Sequence, residues 1–163
     1  MIADIKQTEE GYIARYERHI EQPVERVWAM LTDNRKLEKW FQELQVGEPS
    51  KGGYMKFDMG DGKFETLEIF EFSPFSVLAF DWFGDSVGFE LQPVQDGCLV
   101  VFQERFTTIT KQTAKDLAGW HVCLIVIESL LAGQQLNSRK EEWEKWFEQY
   151  EKLFTELTLA DQA

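Results

Sequence analysis

Histidine, cysteine and basic side chains are scarce in this chain. Its 163 residues include two histidines and two cysteines, and 17 Lys and Arg stand against 29 Asp and Glu for a net charge of −12. A phosphate-binding scaffold needs clustered Lys and Arg to displace counterions, so no nucleic-acid partner is expected. The same charge disfavours an anionic membrane surface. Long apolar runs are also missing. The longest, Val122 to Ile127, is far short of the roughly 20 residues that cross a bilayer, so no membrane insertion is expected. Cys98 and Cys123 lie far apart with no CxxC spacing, which fits reduced thiols rather than a disulfide framework. The start, Met1 to Glu10, has no basic stretch leading into an apolar one. No signal peptide is read there, and a cytoplasmic location is expected. His19 alternates with Arg15 and Glu17 on a polar face, and His121 stands alone on a helix. Neither belongs to a metal-ligand spacing, and no Gly-rich phosphate loop is present, so no metal or cofactor is expected.

Aromatic residues are abundant instead: 13 Phe, 6 Trp and 4 Tyr make up 14% of the chain. Their positions follow regular periods. Met1 to Gly11 reads as a flexible polar arm, and residues 12–159 as one domain. Tyr12 to Ile20 alternates as a half-buried strand, with Arg18 interrupting its apolar face. Pro23 opens a helix carrying Val24, Val27, Trp28 and Leu31. Thr32 or Asp33 caps a second short helix holding Leu37, Trp40 and Phe41. Alternating segments follow, with Phe57, then Phe80 and Trp82, then Phe89, then Phe102 on their inner faces. Turn signals at Asp61-Gly62, Ser73-Pro74 and Gln95-Asp96-Gly97 separate them, which predicts an antiparallel meander. Glu104 is the one charge on the inner face of the last strand. Leu117, Trp120, Leu124, Ile127 and Leu131 then mark a long helix stopped at Gly133. A final helix from about Arg139 carries Trp143, Trp146, Phe147, Tyr150 and Phe154 on one broad face. Docking against the body and a dimer face are rival readings of that face, so a monomer or a homodimer is expected. The class is α+β, with a sheet whose apolar face the long helix covers.

Several segments together resemble the START/Bet v-like (SRPBCC) superfamily, and within it the branch named after the activator of heat-shock protein 90 ATPase. They are Arg18 to Trp28, Leu31-Thr32-Asp33, Leu37 to Phe41, Phe89-Glu90-Leu91, Gly119-Trp120 and Leu130 to Gly133. The resemblance runs from about Ile13 to Phe154. It implies a helix-grip fold, in which a curved antiparallel sheet of about six or seven strands wraps the long helix. It also implies a deep, largely apolar cavity between the two, but no single activity.

On that architecture the candidate ligand-binding residues are Trp40, Phe41, Phe57, Phe80, Trp82, Phe89, Phe102, Trp120 and Leu124, with His121, Arg18 and Glu104 as polar contacts. In the family's topology the first and last strands pair, so Arg18 and Glu104 could meet, either as a charge pair that orients a polar ligand group or as a structural ion pair, with Arg18 snorkelling to the rim as the remaining alternative. The expected function is binding of a hydrophobic or aromatic small molecule, such as a lipid, flavonoid or polyketide. Two alternatives stand beside it: a chaperone-regulatory or other protein-interaction module, and a cyclase-like or hydrolase-like enzyme acting in the cavity. No pair of carboxylates at a fixed spacing argues for acid–base catalysis, so no catalytic residue is assigned.

Overall fold

The computed structural model describes residues 1–162. Strands β1 (Asp4–Thr8) and β2 (Gly11–Ile20) lead into helices α1 (Val24–Thr32) and α2 (Asn34–Leu37). Six strands follow: β3 (Leu44–Glu48), β4 (Tyr54–Gly60), β5 (Lys63–Ser73), β6 (Val77–Trp82), β7 (Asp85–Val94) and β8 (Gly97–Phe106). The chain closes with α3 (Lys111–Leu131) and α4 (Arg139–Gln162). The eight strands form one antiparallel sheet in the order β1-β2-β8-β7-β6-β5-β4-β3, curved around α3. This is the α+β helix grip expected, with a slightly higher strand count.

The turns follow local chemistry. Asp61 and Gly62 both take positive φ, 55° and 75°, the geometry that lets a two-residue turn match the twist of its flanking strands. At the β7–β8 turn, a Cβ on Gly97 would run into the carbonyl oxygen of Ile20, so only glycine lets β8 start that close to the end of β2.

The two additional strands are the edges. β1 lies in the segment expected to be a flexible arm. Its polar sequence hides the strand, but it pairs residue for residue with β2, from Asp4 opposite Arg15 to Thr8 opposite Gly11. Ala3 is buried, and its N–H donates to the Tyr150 hydroxyl at 2.9 Å. β3 pairs with β4 across a bulge and carries Leu44 and Val46 inward. The second short helix is a single turn. Asp33 caps it by accepting from the Arg35 N–H, and Trp40 and Phe41 fall in the turn beyond it.

Three layers result. α3 lies between the sheet and α4, and it buries residues all round, including Ala118, Trp120, Val122, Leu124 and Ile127. α4 runs antiparallel to it. His121 meets Trp146 and Tyr150, whereas Thr110 and Ala114 near the start of α3 line a groove with Phe154 and Thr158. The broad aromatic face of α4 is therefore docked. Tyr150 and Phe154 are buried, and Trp143, Trp146 and Phe147 pack half-buried on the core.

A candidate aromatic cleft at the start of the long helix

The inner face of the sheet is filled by ring on ring. Phe102 lies 4.8 Å from Phe89 and 4.7 Å from Trp120, centroid to centroid. Trp120 reaches Trp82 at 5.0 Å and Phe41 at 5.5 Å. Most of these contacts are tilted or edge-on, the arrangement the ring quadrupole favours. Phe80, Phe89, Phe102, Trp120 and Leu124 are at most 3% exposed. The rings thus occupy the interior that their sequence pattern predicts they surround. Trp40 is equally enclosed. Its indole N–H donates to the Met30 carbonyl at 2.7 Å, and its own carbonyl accepts from Arg139 at 2.9 Å.

Open space adjoins this ring cluster at one end. A cleft of about 520 Å³ lies where the β6–β7 hairpin faces the first turns of α3. Phe57, Trp82 and Phe83 form one wall, and Phe41 and Trp120 back it. The other side is polar: Thr108, Thr110, Gln112, Thr113 and Asp116, with Asp85 beside the aromatic wall. Thr110 caps α3 by accepting from the Gln112 N–H, and Thr113 returns a bond to the Thr110 N–H. That capping box fixes the helix start beside the cleft.

Phe83 is the residue that sequence reasoning misses. It occupies a positive-φ turn position (53°), costly for a bulky side chain, and is 49% exposed. Its ring packs on Trp82 at 5.1 Å and Phe57 at 5.2 Å. The signal for it was the Gly84 that follows: a glycine between two strand patterns marks a hairpin turn, not a continued strand.

Glu104 lies next to this cleft. It sits on the inner face of β8 between Phe102 and Phe106, opposite Val87 of β7. It is 2% exposed, and its Oε1 has no hydrogen-bond partner among the described residues. Burial raises its pKa from 4.5 to about 8, and the negative charges of Asp116 and Asp85 push the same way. Burial also raises Asp85 and Asp116. Three carboxyls that share no sequence spacing are thereby coupled at one end of the grip. Among the described residues no group of three His, Cys, Asp or Glu side chains is placed to hold a metal ion.

A pairing of Arg18 with Glu104, one of the readings of these charges, does not form. β2 and β8 do pair antiparallel, but in a register that sets Glu104 opposite Ala14 and Arg18 opposite Val100. Four residues of strand, about 13 Å, separate the two charges. Arg18 instead donates to the carbonyls of Glu17 and Met1 and lies 3.8 Å from Glu128 on α3.

His121 also lies away from the cleft. Its ring stacks on Trp146 at 3.8 Å, and Nδ1 is 2.8 Å from the Tyr150 hydroxyl. That hydroxyl also accepts the Ala3 N–H. Burial, with Arg18, the N-terminal ammonium and Lys145, lowers the His121 pKa to about 3, so the ring stays neutral. The histidine ties α3 to α4 and to the N-terminal segment.

The fold and cleft define an α+β helix-grip domain with an aromatic opening at the N-terminal end of its long helix. The chain belongs to the family described as activator of Hsp90 ATPase homolog 1-like protein, whose model matches residues 21–132. No curated protein matches the chain. Its fold is shared with solved structures. One is a conserved protein of unknown function from Enterococcus faecalis, with a TM-score of 0.83 at 24% identity over 95% of this chain and 91% of that one. Another is a Bordetella parapertussis protein solved by NMR, with a TM-score of 0.70 at 23% identity over 93% of this chain and 94% of that one. A third is the Aha1 dimer from Colwellia psychrerythraea, with a TM-score of 0.62 at 20% identity over 72% of this chain and 93% of that one.

Proposed function

We propose that this protein binds a hydrophobic or aromatic small molecule, which enters at the cleft beside α3 and lies against Phe57, Trp82 and Phe83. The observation that carries the reading is the pairing of that aromatic wall with the Asp85 and Asp116 carboxyls at one opening, with the buried, unpartnered Glu104 beside them. A ligand pocket is typically apolar with a few convergent polar groups, and this cleft has both. Enclosure is the mechanism. Burying apolar ligand surface contributes about 25 cal/mol per Å², and the polar side sets orientation. The strained placement of Phe83 supports the reading, because a left-handed aromatic persists only where its surroundings hold it.

Trp82 reports on the cleft, so tryptophan fluorescence titrated with fatty acids, flavonoids, ring polyketides and aromatic amines tests the reading. At least one class should shift the emission and saturate. Phe83→Asn keeps a residue tolerant of positive φ while deleting the ring. It should weaken that binding about tenfold, the effect of losing roughly 1.4 kcal/mol of contact, without lowering stability. No response to any class, or unchanged affinity in the variant, would count against the cleft.

The family description and the resemblance to an Aha1 dimer favour a second reading, regulation of a chaperone ATPase. That reading names no surface on this chain. It predicts that the purified protein stimulates such an ATPase.

A further inference from the structure

The cleft's polar side is one-signed. Among its nine lining residues, Asp85 and Asp116 are the only charged ones, and none is basic. Glu104 adds a third carboxyl beside them, one that becomes negative on losing its proton. Asp85 lies two positions from Val87 on the same face of β7, and Val87 is the direct cross-strand partner of Glu104. Asp85 is thus the diagonal neighbour of Glu104, about 7 Å away. Asp116 approaches from α3, one turn past the capped start of the helix. The Glu104 side chain therefore lies under the cleft floor, toward the two acids that line it.

The other charged or titratable groups around Glu104 do not neutralise it. Tyr16 of β2 is buried and donates its hydroxyl proton to the Leu117 carbonyl. Arg18 is engaged four residues along with Glu128 and the N-terminal segment. Arg105 follows Glu104 directly, so it projects from the opposite face of the sheet, and it is exposed. Lys111 and Lys115 of α3 are exposed as well. The start of α3 favours negative charge, but only by about 0.3–1 kcal/mol at an exposed end, and Thr110 already occupies the Gln112 N–H. Asp85 and Asp116 against one helix end leave the cleft negative, and Glu104 adds to that charge only when it ionises.

Resting on the binding role above, we propose that the ligand is an organic cation, an aromatic or hydrocarbon body bearing a protonated amine. The amine's N–H groups donate to Asp116 and Asp85 and draw Glu104 into its ionised form, and the body lies on Phe57, Trp82 and Phe83. Aromatic faces attract such cations as well as burying their apolar part. The three carboxyls are not gathered closely enough to clasp a metal ion, so a diffuse organic charge suits them better. Glu104 is largely protonated in the free protein near neutral pH. Binding an ammonium expels that proton to solvent, and affinity rises with pH, about tenfold between roughly pH 6 and pH 7.

The test is calorimetric titration of the full chain with three probes that share one ring system and differ in charge: tryptamine, tryptophol and indole-3-acetate. Tryptamine should bind at least about tenfold tighter than tryptophol, with indole-3-acetate weakest. Its heat should vary with the buffer's ionisation enthalpy, as proton release requires. Glu104→Gln and Asp116→Asn should each shrink the preference for tryptamine, while Phe83→Asn should weaken tryptamine and tryptophol alike. Equal affinity for tryptamine and tryptophol, or a preference that survives both carboxyl variants, overturns the cation and leaves the aromatic cleft standing. Failure of all three probes to bind contradicts the cleft together with the cation.

Discussion

Glu104→Gln is expected to make the protein markedly more stable at alkaline pH. The folded-state pKa of Glu104 lies near 8, above the 4.5 of the free side chain. The folded state therefore holds the proton more tightly than the unfolded chain does. The stability linked to that proton is fully present below about pH 4.5, declines as pH rises, and is gone by about pH 8. Across that window the wild-type chain loses on the order of 3–5 kcal/mol through this one group, at about 1.4 kcal/mol per pKa unit. A glutamine does not titrate and loses nothing. Urea unfolding near pH 5 should separate the two proteins little, and near pH 9 the variant should lead by several kcal/mol. Parallel stability profiles across that range would mean that Glu104 is solvated or paired in solution. A carboxyl that costs stability so close to a cleft fits a group kept for binding.

Trp120→Ala is expected to cost about 4 kcal/mol of folding stability, within the range for deleting a large buried aromatic. The indole is 2% exposed and packs against four rings in the core: Phe102 of β8, Phe89 of β7, Trp82 of β6, and Phe41 in the turn after α2. Its loss would leave a void that these stiff aromatics cannot close by changing rotamer. The size of the effect distinguishes two interiors. A close-packed ring cluster gives the full loss in denaturant unfolding. A loss under about 1 kcal/mol would show instead that the rings already border an open space, as their sequence pattern suggests, and would extend the cleft deep into the grip.

The sequence is most informative where periodicity and turn chemistry agree. The six long strands, α1, α3 and α4 follow from alternation, from helical spacing, and from Pro23, Asp61-Gly62 and Gly133. Both edge strands escape. β1 reads Asp-Ile-Lys-Gln-Thr, a polar stretch that becomes a strand through pairing with β2 and anchoring at Tyr150. β3 has too few alternating residues to stand out from a loop. Two of the three wall residues are legible in the same way, since Phe57 and Trp82 fall on the inner faces of alternating strands. Phe83 is not, because a positive-φ turn, rather than strand alternation, sets its direction.

The charges show a second limit. Alternation correctly places Arg18 and Glu104 on inward faces, and strand order correctly makes their strands neighbours, yet they lie far apart. Adjacency in a sheet does not give register, and a four-residue offset separates a pair completely. The same gap hides the carboxyl group of Asp85, Glu104 and Asp116. Nothing in their sequence separation says that the β7–β8 register and the path of α3 bring them to one end of the fold.

The proposed ligand site is the aromatic cleft beside the start of α3. Its most direct test is a ¹⁵N-labelled sample titrated with the tightest-binding compound from the fluorescence panel. The largest shifts should fall on the Trp82 indole N–H, Phe83, Gly84 and the amides from Thr108 to Asp116. The Trp40 indole N–H, bonded to the Met30 carbonyl, should hardly move. Shifts centred on the α3–α4 groove around Ala114 and Phe154, with the Trp82 indole unmoved, would contradict this placement.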